Sequence, residues 1–328
     1  MGQLRFLLSL ITRDNDSQRE GEKAATAAAR RLNVDLEVLY AENDSVRQSS
    51  QILDALYKYK SSLSGILVSP AGGTEFPQIG RAAVSAGVAW VLLNRDASSL
   101  RELRHGTTTP AFAVSANHTE VGRIQARQLA ALLPGGGFVL YVQGPASTQS
   151  ARDRMAGLQE AKQLQITLRV VKSSTWTEEG GHRAVASCLR LITSPQRIQA
   201  VVAQSDVIAI GARKAFEESG VPRWSGLPFL GAGGNPGTGQ AWVKEGLLAA
   251  TVVKPPVAGL ALEAAVAAIT QNRQPPELQL VPVASFPALE ALRPAPADKP
   301  EKAAAASAEA TSAGAPGQVP GLGLHRLD

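Results

Sequence analysis

From Leu4 to about residue 285 the chain repeats one unit: a short apolar run, a polar break, then a longer stretch with helical periodicity. Runs such as Val88–Leu93 and Phe138–Gln143 are rich in Val and Leu and lack polar alternation. They predict strands of a parallel sheet covered on both faces. Parallel neighbours need crossovers of a dozen or more residues, and the intervening stretches supply these as helices. Leu4–Thr12 reads as the first strand. Residues 18–32 read as a helix in which Ala24, Ala25, Ala28 and Leu32 share one face. Strands at Val34–Tyr40, Gly65–Ser69 and Val88–Leu93 follow, with helices at 46–59 and 75–86 between them.

After a polar stretch at 96–109 the same plan restarts. Strands are expected at Ala111–Ser115, Phe138–Gln143, Ile166–Lys172, Ala200–Ala203 and Pro228–Leu230. Helices are expected at Thr119–Leu133, from about 149 to 164, at 178–193 and at 206–219. A strand at 247–253, a helix at 256–271 and a last strand at 279–285 complete the pattern. Open parallel sheets bind ligands beyond the carboxyl ends of their strands, where helix N-termini and loop side chains converge. Two such sheets facing each other place the polar loops 13–18 and 144–152 on opposite walls of one cleft. Beyond Phe286 the pattern stops: residues 288–328 hold 12 Ala, 5 Pro, 4 Gly and no aromatic residue. Such a segment buries too little apolar surface to offset its ordering entropy, so a disordered tail is expected from about residue 294.

Several function classes fall away. The net charge of +5 comes from 33 basic and 28 acidic residues interleaved along the chain, without the basic block that marks a nucleic-acid binder. Cys188 is the single cysteine and lies in an apolar helical stretch, the setting of an inert core thiol. His105, His118, His182 and His325 are scattered, so no zinc cluster is indicated. No stretch reaches the ~18 apolar residues of a membrane span. Phe6–Ile11 is too short for a signal core and runs straight into Thr12-Arg13-Asp14, as a buried strand entering a loop does. The chain as written shows no export signal, which leaves a cytosolic protein or a mature form whose signal has been removed. Catalytic signatures are missing as well. There is no G-x-x-x-x-G-K-S/T phosphate loop, Pro236 interrupts the glycine-rich run 231–237, and neither H-E-x-x-H nor G-x-S-x-G occurs. The expectation is a protein that is not an enzyme and carries no cofactor.

Five segments together resemble a known family. Gln204-Ser205-Asp206-Val207-Ile208-Ala209-Ile210-Gly211-Ala212 is similar to the Q-N-D-x-x-A-x-G-A segment of type I periplasmic sugar-binding proteins, the ribose- and galactose-binding group. The effector domains of lactose-repressor-type regulators share that segment. Ser150 through Leu158 resembles their S-x-R-x-R-x-x-G-F stretch, and Leu93-Asn94-Arg95 resembles the end of their fourth strand. Asn117 through Gly122 resembles the opening of their second lobe, and Ala249-Ala250-Thr251-Val252 a late strand. The resemblance implies an α/β fold of two Rossmann-like lobes with parallel sheets, joined by a three-crossover hinge. The crossovers are expected near Ser115–Asn117, Val253–Lys254 and Leu278–Leu280. Residues 1–115 and 255–278 then form the amino lobe, residues 116–254 and 279–290 the carboxyl lobe, and 294–328 the tail.

The same resemblance implies a ligand site. Asp14, Asn15, Ser17 and Gln18 fall in the first loop, Arg95 and Arg152 on the two arginines that fork to ligand hydroxyls, and Trp176 on an aromatic wall. Ser205 and Asp206 follow a strand, Gly233 and Asn235 lie in the glycine-rich loop, and Lys254 falls on the hinge glutamine. Bland readings stand beside these: an ion pair of Arg95 with Asp96, a rim tryptophan, and helix capping by Ser205 or Asp206. Relative to the family pattern the cleft gains a cation at Lys254, loses a carboxylate at Gly233 and loses two rings at Ser17 and Gln18. The expected role is a monomeric solute-binding protein for a small polar ligand, sugar-like or an anionic sugar derivative, serving an ABC-type transporter permease. The alternative is a ligand sensor that signals to a kinase, receptor or transcription regulator. Direct DNA binding is not expected, because no helix-turn-helix precedes the first strand.

Overall fold

The computed structural model describes residues 3–59, 62–73, 76–96, 98–191 and 198–294. The tail expected from residue 294 lies, from 295 onward, outside them. So do the first residue of the helix expected at 75–86 and the last two of that expected at 178–193.

The amino lobe is a six-stranded parallel sheet. Its strands are β1 (Arg5–Leu10), β2 (Asp35–Tyr40), β3 (Gly65–Val68), β4 (Ala89–Leu93), β5 (Ala111–Ala116) and β11 (Leu278–Val281), in the order β11-β5-β4-β3-β1-β2. Side chains alternate across the sheet, which explains the continuous apolar runs. Phe6, Leu8, Leu10, Leu67, Val91 and Val114 pack on one face, under α1 (Asp16–Leu32) and α10 (Val257–Thr270). Leu7, Ile66, Val68, Trp90 and Leu92 pack on the other, under α2 (Ser45–Tyr59), α3 (Pro77–Ser85) and α4 (Leu100–Arg104). The helix α4 lies inside the polar stretch 96–109, to which the sequence pattern assigns no element, where burial of Leu100 and Leu103 holds it down. Burying an aliphatic side chain of this size contributes about 1.5–3 kcal/mol, so both layers are needed to hold the sheet.

The carboxyl lobe repeats the arrangement with β6 (Gly137–Gln143), β7 (Ile166–Lys172), β8 (Ile198–Ala203) and β9 (Phe229–Leu230), in the parallel order β7-β6-β8-β9. Helices α5 (His118–Leu132) and α6 (Gln149–Ala161) cover one face, and α7 (Glu178–Arg190) and α8 (Asp206–Glu218) the other. Cys188 is buried in the second of these layers. Each helix pair closes on reciprocal glycines. A methyl group on Gly122 of α5 would collide with backbone atoms of Arg154 and Leu158, and one on Gly157 of α6 with the Thr119 carbonyl. Gly181 and Gly211 meet in the same way between α7 and α8, against Ile208 and Glu178.

Two expected strands take a different form. The strand expected at 247–253 shortens to β10 (Thr251–Val253), preceded by a helix α9 (Gly239–Lys244). The N–H groups of Leu247 and Leu248 donate to the Trp242 carbonyl and close that helix instead of pairing in a sheet. The strand expected at 279–285 divides between the lobes: β11 pairs with β5, whereas β12 (Ala284–Phe286) runs antiparallel to β10. Pro282 separates them, since it has no N–H to continue a ladder. This moves the amino-lobe boundary from the expected 278 to Val281. The carboxyl lobe likewise runs past residue 290, because Leu292 is buried against its core. The three lobe crossings therefore lie at Ala116–Asn117, Val253–Pro256 and Val281–Val283. Among the described residues no helix is long and apolar enough to cross a membrane.

Candidate functional site

A cavity of about 570 Å³ opens between the carboxyl ends of the two sheets, with walls from both lobes and from the Lys254 crossing. Of the twelve expected site residues all but Arg152 line it. Lining the cavity and offering a free polar atom are different things, and the residues divide on that point.

On the amino-lobe wall, β1 ends at Leu10 and the chain turns through Asp14 into α1. Asn15 caps that helix: its Oδ1 accepts from the N–H groups of Ser17 (2.9 Å) and Gln18 (3.3 Å). Gln18 braces the loop, its Oε1 accepting from Ile11 N–H at 2.9 Å and its Nε2 donating to Ser69 Oγ at 3.4 Å. Ser17 and the Asp14 carboxylate are exposed. Arg95 follows β4 and donates to the Pro70 carbonyl at 2.9 Å. Asn94, in the left-handed conformation at φ 54°, turns the chain there and accepts from Ala116 N–H at 3.3 Å.

The carboxyl-lobe wall corrects one expectation. Arg152 points away from the cavity, its guanidinium donating to the carbonyls of Ala146 and Ser147 and to Gln149 Oε1. Arg154 points in. Residues two apart sit about 200° apart on an α-helix, so only one of the pair can face the cleft. Arg154 shares the buried face of α6 with Ala151 and Leu158, at the i, i+3, i+7 spacing. It donates to the Gln204 carbonyl and, at 3.3–3.4 Å, to Nδ1 of His118. Its guanidinium carbon lies 5.2 Å from the centroid of the Trp176 ring, a cation–π geometry. Trp176 in turn sits against Gly144, where a methyl would strike the indole.

His118 opens α5 and also lines the cavity, a residue that sequence reasoning passed over. Burial, and then the charges of Arg154, Lys254 and Arg95, hold its pKa well below the usual histidine value, so the ring is neutral. Because Arg154 only donates, Nδ1 accepts and the ring proton sits on Nε2. That buried Nε2 has no hydrogen-bond partner among the described residues.

Ser205 caps α8, its Oγ accepting from Ile208 N–H at 3.2 Å. Asp206 is buried: its carboxylate accepts from Gly234 N–H at 2.7 Å and from the Thr251 hydroxyl at 2.5 Å. Side chains at Gly231, Gly233 or Gly239 would invade its space, so the missing carboxylate at Gly233 makes room for this one. Burial raises the Asp206 pKa, against those two hydrogen bonds and the charges of Lys254 and Arg154. The Asn235 carbonyl accepts from Thr238 and Gln240 and starts α9. Lys254 is pinned at its backbone, donating to the Gly233 carbonyl at 3.0 Å, and two prolines follow it. Its ammonium makes no hydrogen bond or ion pair among the described residues. Burial, and then the charge of Arg154, pull its pKa down to about 7, while Asp206 pulls the other way. Burial also lowers Arg154, to about 10. Among the described residues no group of three or more His, Cys, Asp or Glu side chains is arranged to hold a metal ion.

The sequence matches a known family, described as the periplasmic binding protein domain, over residues 6–273. The chain belongs to that family. The ribose import binding protein RbsB of Escherichia coli (strain K12) is 25% identical to it over 232 residues, covering 71% of this chain and 73% of RbsB. The xylitol-binding protein of Mycolicibacterium smegmatis is 28% identical over 222 residues, 66% of this chain. That match covers 58% of the relative, so the chain spans little more than half of its length. Among solved structures, the ABC transporter periplasmic solute binding protein of Actinobacillus succinogenes 130z with bound D-allose superposes with a TM-score of 0.75. It is 22% identical, and the match covers 86% of this chain and 97% of that one. A galactofuranose binding protein gives a TM-score of 0.74 at 20% identity, covering 86% and 94%. These relatives are binding proteins, not enzymes, the class expected from the sequence.

Proposed function

We propose that this periplasmic binding protein closes its lobes on one small, sugar-like polar solute and delivers it to an ABC-type permease on the periplasmic side of a membrane. The observation that carries the reading is a cavity of about 570 Å³ walled by both lobes, which are joined through short crossings. That volume suits a monosaccharide-sized ligand, and hinge closure removes such a ligand from water. Arg95 from the amino lobe and Arg154 from the carboxyl lobe present planar donors that fork to vicinal oxygens. Asp14, Asn235 and Ser17 add polar atoms around them, and Trp176 supplies an apolar edge. RbsB and the xylitol-binding protein, named for polyhydroxylated ligands, support a carbohydrate or polyol as the solute class.

The test is a thermal-shift screen of sugars, polyols and their derivatives, followed by small-angle scattering of each hit. A ligand that binds only the folded state raises the melting temperature by mass action, and closure shortens the radius of gyration. Hits that raise the melting temperature and contract the particle support the reading. A library without a hit overturns it. Delivery is tested separately, by stimulation of ATP hydrolysis in a reconstituted permease by the loaded protein.

A further inference from the structure

The cavity's charges are unevenly engaged. Four acidic residues line it, and three are occupied elsewhere. Asp16 pairs with Arg19, Glu20 pairs with Lys23 at 2.8 Å, and Asp206 is closed off by Thr251 and Gly234. The fourth, Asp14, is exposed on the amino-lobe loop. The cations are engaged differently. Arg154 donates only to a carbonyl and a neutral imidazole, and the Lys254 ammonium donates to nothing among the described residues. Neither has a carboxylate within ion-pair distance among those residues. Beside them the Nε2–H of His118 is a buried donor without an acceptor.

A buried cation such as Arg154, and to a lesser degree the half-buried Lys254, is unfavourable unless something compensates it. Three donors from two elements and one lobe crossing, with neither cation in ion-pair contact with a carboxylate among the described residues and Asp206 acting on both only from farther off, form a cradle for negative charge. We infer that the solute bears an oxyanion, a carboxylate or a phosphate group, that docks against Lys254, Arg154 and the Nε2–H of His118. The inference rests on the solute-binding reading and narrows its ligand class to sugar acids or sugar phosphates. A neutral sugar brings hydroxyls that satisfy His118 but leaves both cations with only the longer-range field of Asp206 as the lobes close. An oxyanion satisfies all three donors, and the pinned backbone of Lys254 between Gly233 and Pro255 fixes where it sits. The depressed lysine pKa is the expected mark of an ammonium waiting for such a partner.

The experiment is calorimetric titration of the full chain with matched sets of pentoses, hexoses and cyclitols. Each set comprises the neutral compound, its carboxylate and its phosphate. Within a set that binds, at least one anion is expected to bind ten times more tightly than the neutral parent, and comparison of the two anionic arms assigns the group. Lys254→Gln is expected to weaken that anion at least tenfold and by more than it weakens the neutral parent, so that the anion's advantage over the parent shrinks. Lys254→Met, with similar length and no charge, repeats the test, and the melting temperature of each variant without solute reports that it is folded. A neutral parent that binds as tightly as its anions overturns the inference and leaves the solute-binding reading standing. So does an anion whose affinity is unchanged in both variants. If no member of any set binds, the solute-binding reading fails first and the inference falls with it.

Discussion

Raising the pH from 7 to 9 should weaken binding of a carboxylate solute about fifty-fold, and the reason lies in Lys254. Burial and the neighbouring Arg154 hold its ammonium near a pKa of about 7 in the empty cavity. An anion docked against it favours the protonated form and returns the pKa toward the ordinary value of about 10.4. Binding therefore takes up a proton whenever the empty site has lost one. The protonated fraction of the empty site falls from about one half at pH 7 to about one hundredth at pH 9. If only that fraction binds, the dissociation constant rises about fifty-fold, roughly 2.3 kcal/mol at 1.36 kcal/mol per decade. The charged groups that the lysine feels are Arg154 and Asp206, and it in turn depresses His118. His118 is already neutral in this window and exchanges no proton. Titration calorimetry at pH 8, in two buffers of different ionisation enthalpy, should report uptake of about 0.9 proton per solute by linkage. The slope and the uptake should both vanish in Lys254→Gln. Affinity that stays flat from pH 7 to 9, or a slope that survives in that variant, would refute the argument. Survival would point to Asp206, whose raised pKa makes it the other candidate.

Three further outcomes follow from the packing. Arg152→Ala should leave solute affinity within twofold of wild type, whereas Arg154→Met should weaken it at least tenfold; one titration series on both compares the two faces of α6. Gly122→Ala should destabilise the protein by about 1–3 kcal/mol in urea denaturation, because the added methyl meets backbone that cannot rotate away. Its control, Gly135→Ala, meets nothing within 4 Å and should be neutral or gain up to about 1 kcal/mol. Asp206→Ala should cost about 2–3 kcal/mol by the same assay, since it strands the Gly234 N–H and the Thr251 hydroxyl.

The strands were legible because parallel sheets covered on both faces leave runs such as Ala89–Leu93 with no polar interruption. The division of residues 279–285 was not. Both halves are short and apolar, and the break at Pro282 is also what an irregular edge strand would show. The first-loop residues were placed at the cavity from order and spacing, yet their atoms were not: Asn15 and Gln18 hold the loop itself. Arg152 and Arg154 fit one motif equally well, and helical phase decides between them. Ala151, Arg154 and Leu158 share a face, a pattern present in the letters alone. His118 was hidden because a histidine one residue past a helix cap carries no signal until Arg154, thirty-six positions on, is seen against it. Asp206 looked like a ligand group or a helix cap, and only three distant glycines around its carboxylate reveal a structural anchor.

The return of the chain from the carboxyl lobe to the amino lobe has a consequence for how the protein is made. Strands β1 to β5 leave the ribosome first, but α10, which covers one face of their sheet with Val257, Ala261, Leu262 and Ala265, follows about 140 residues later. At the usual ~5–20 residues per second of synthesis, the part of that face not covered by α1 stays open for roughly 7–28 s. The edge strand β11 arrives later still. The first lobe to be translated is therefore still incomplete when most of the second has emerged, and the nascent chain presents a sticky, half-built sheet that holdase chaperones are suited to shield.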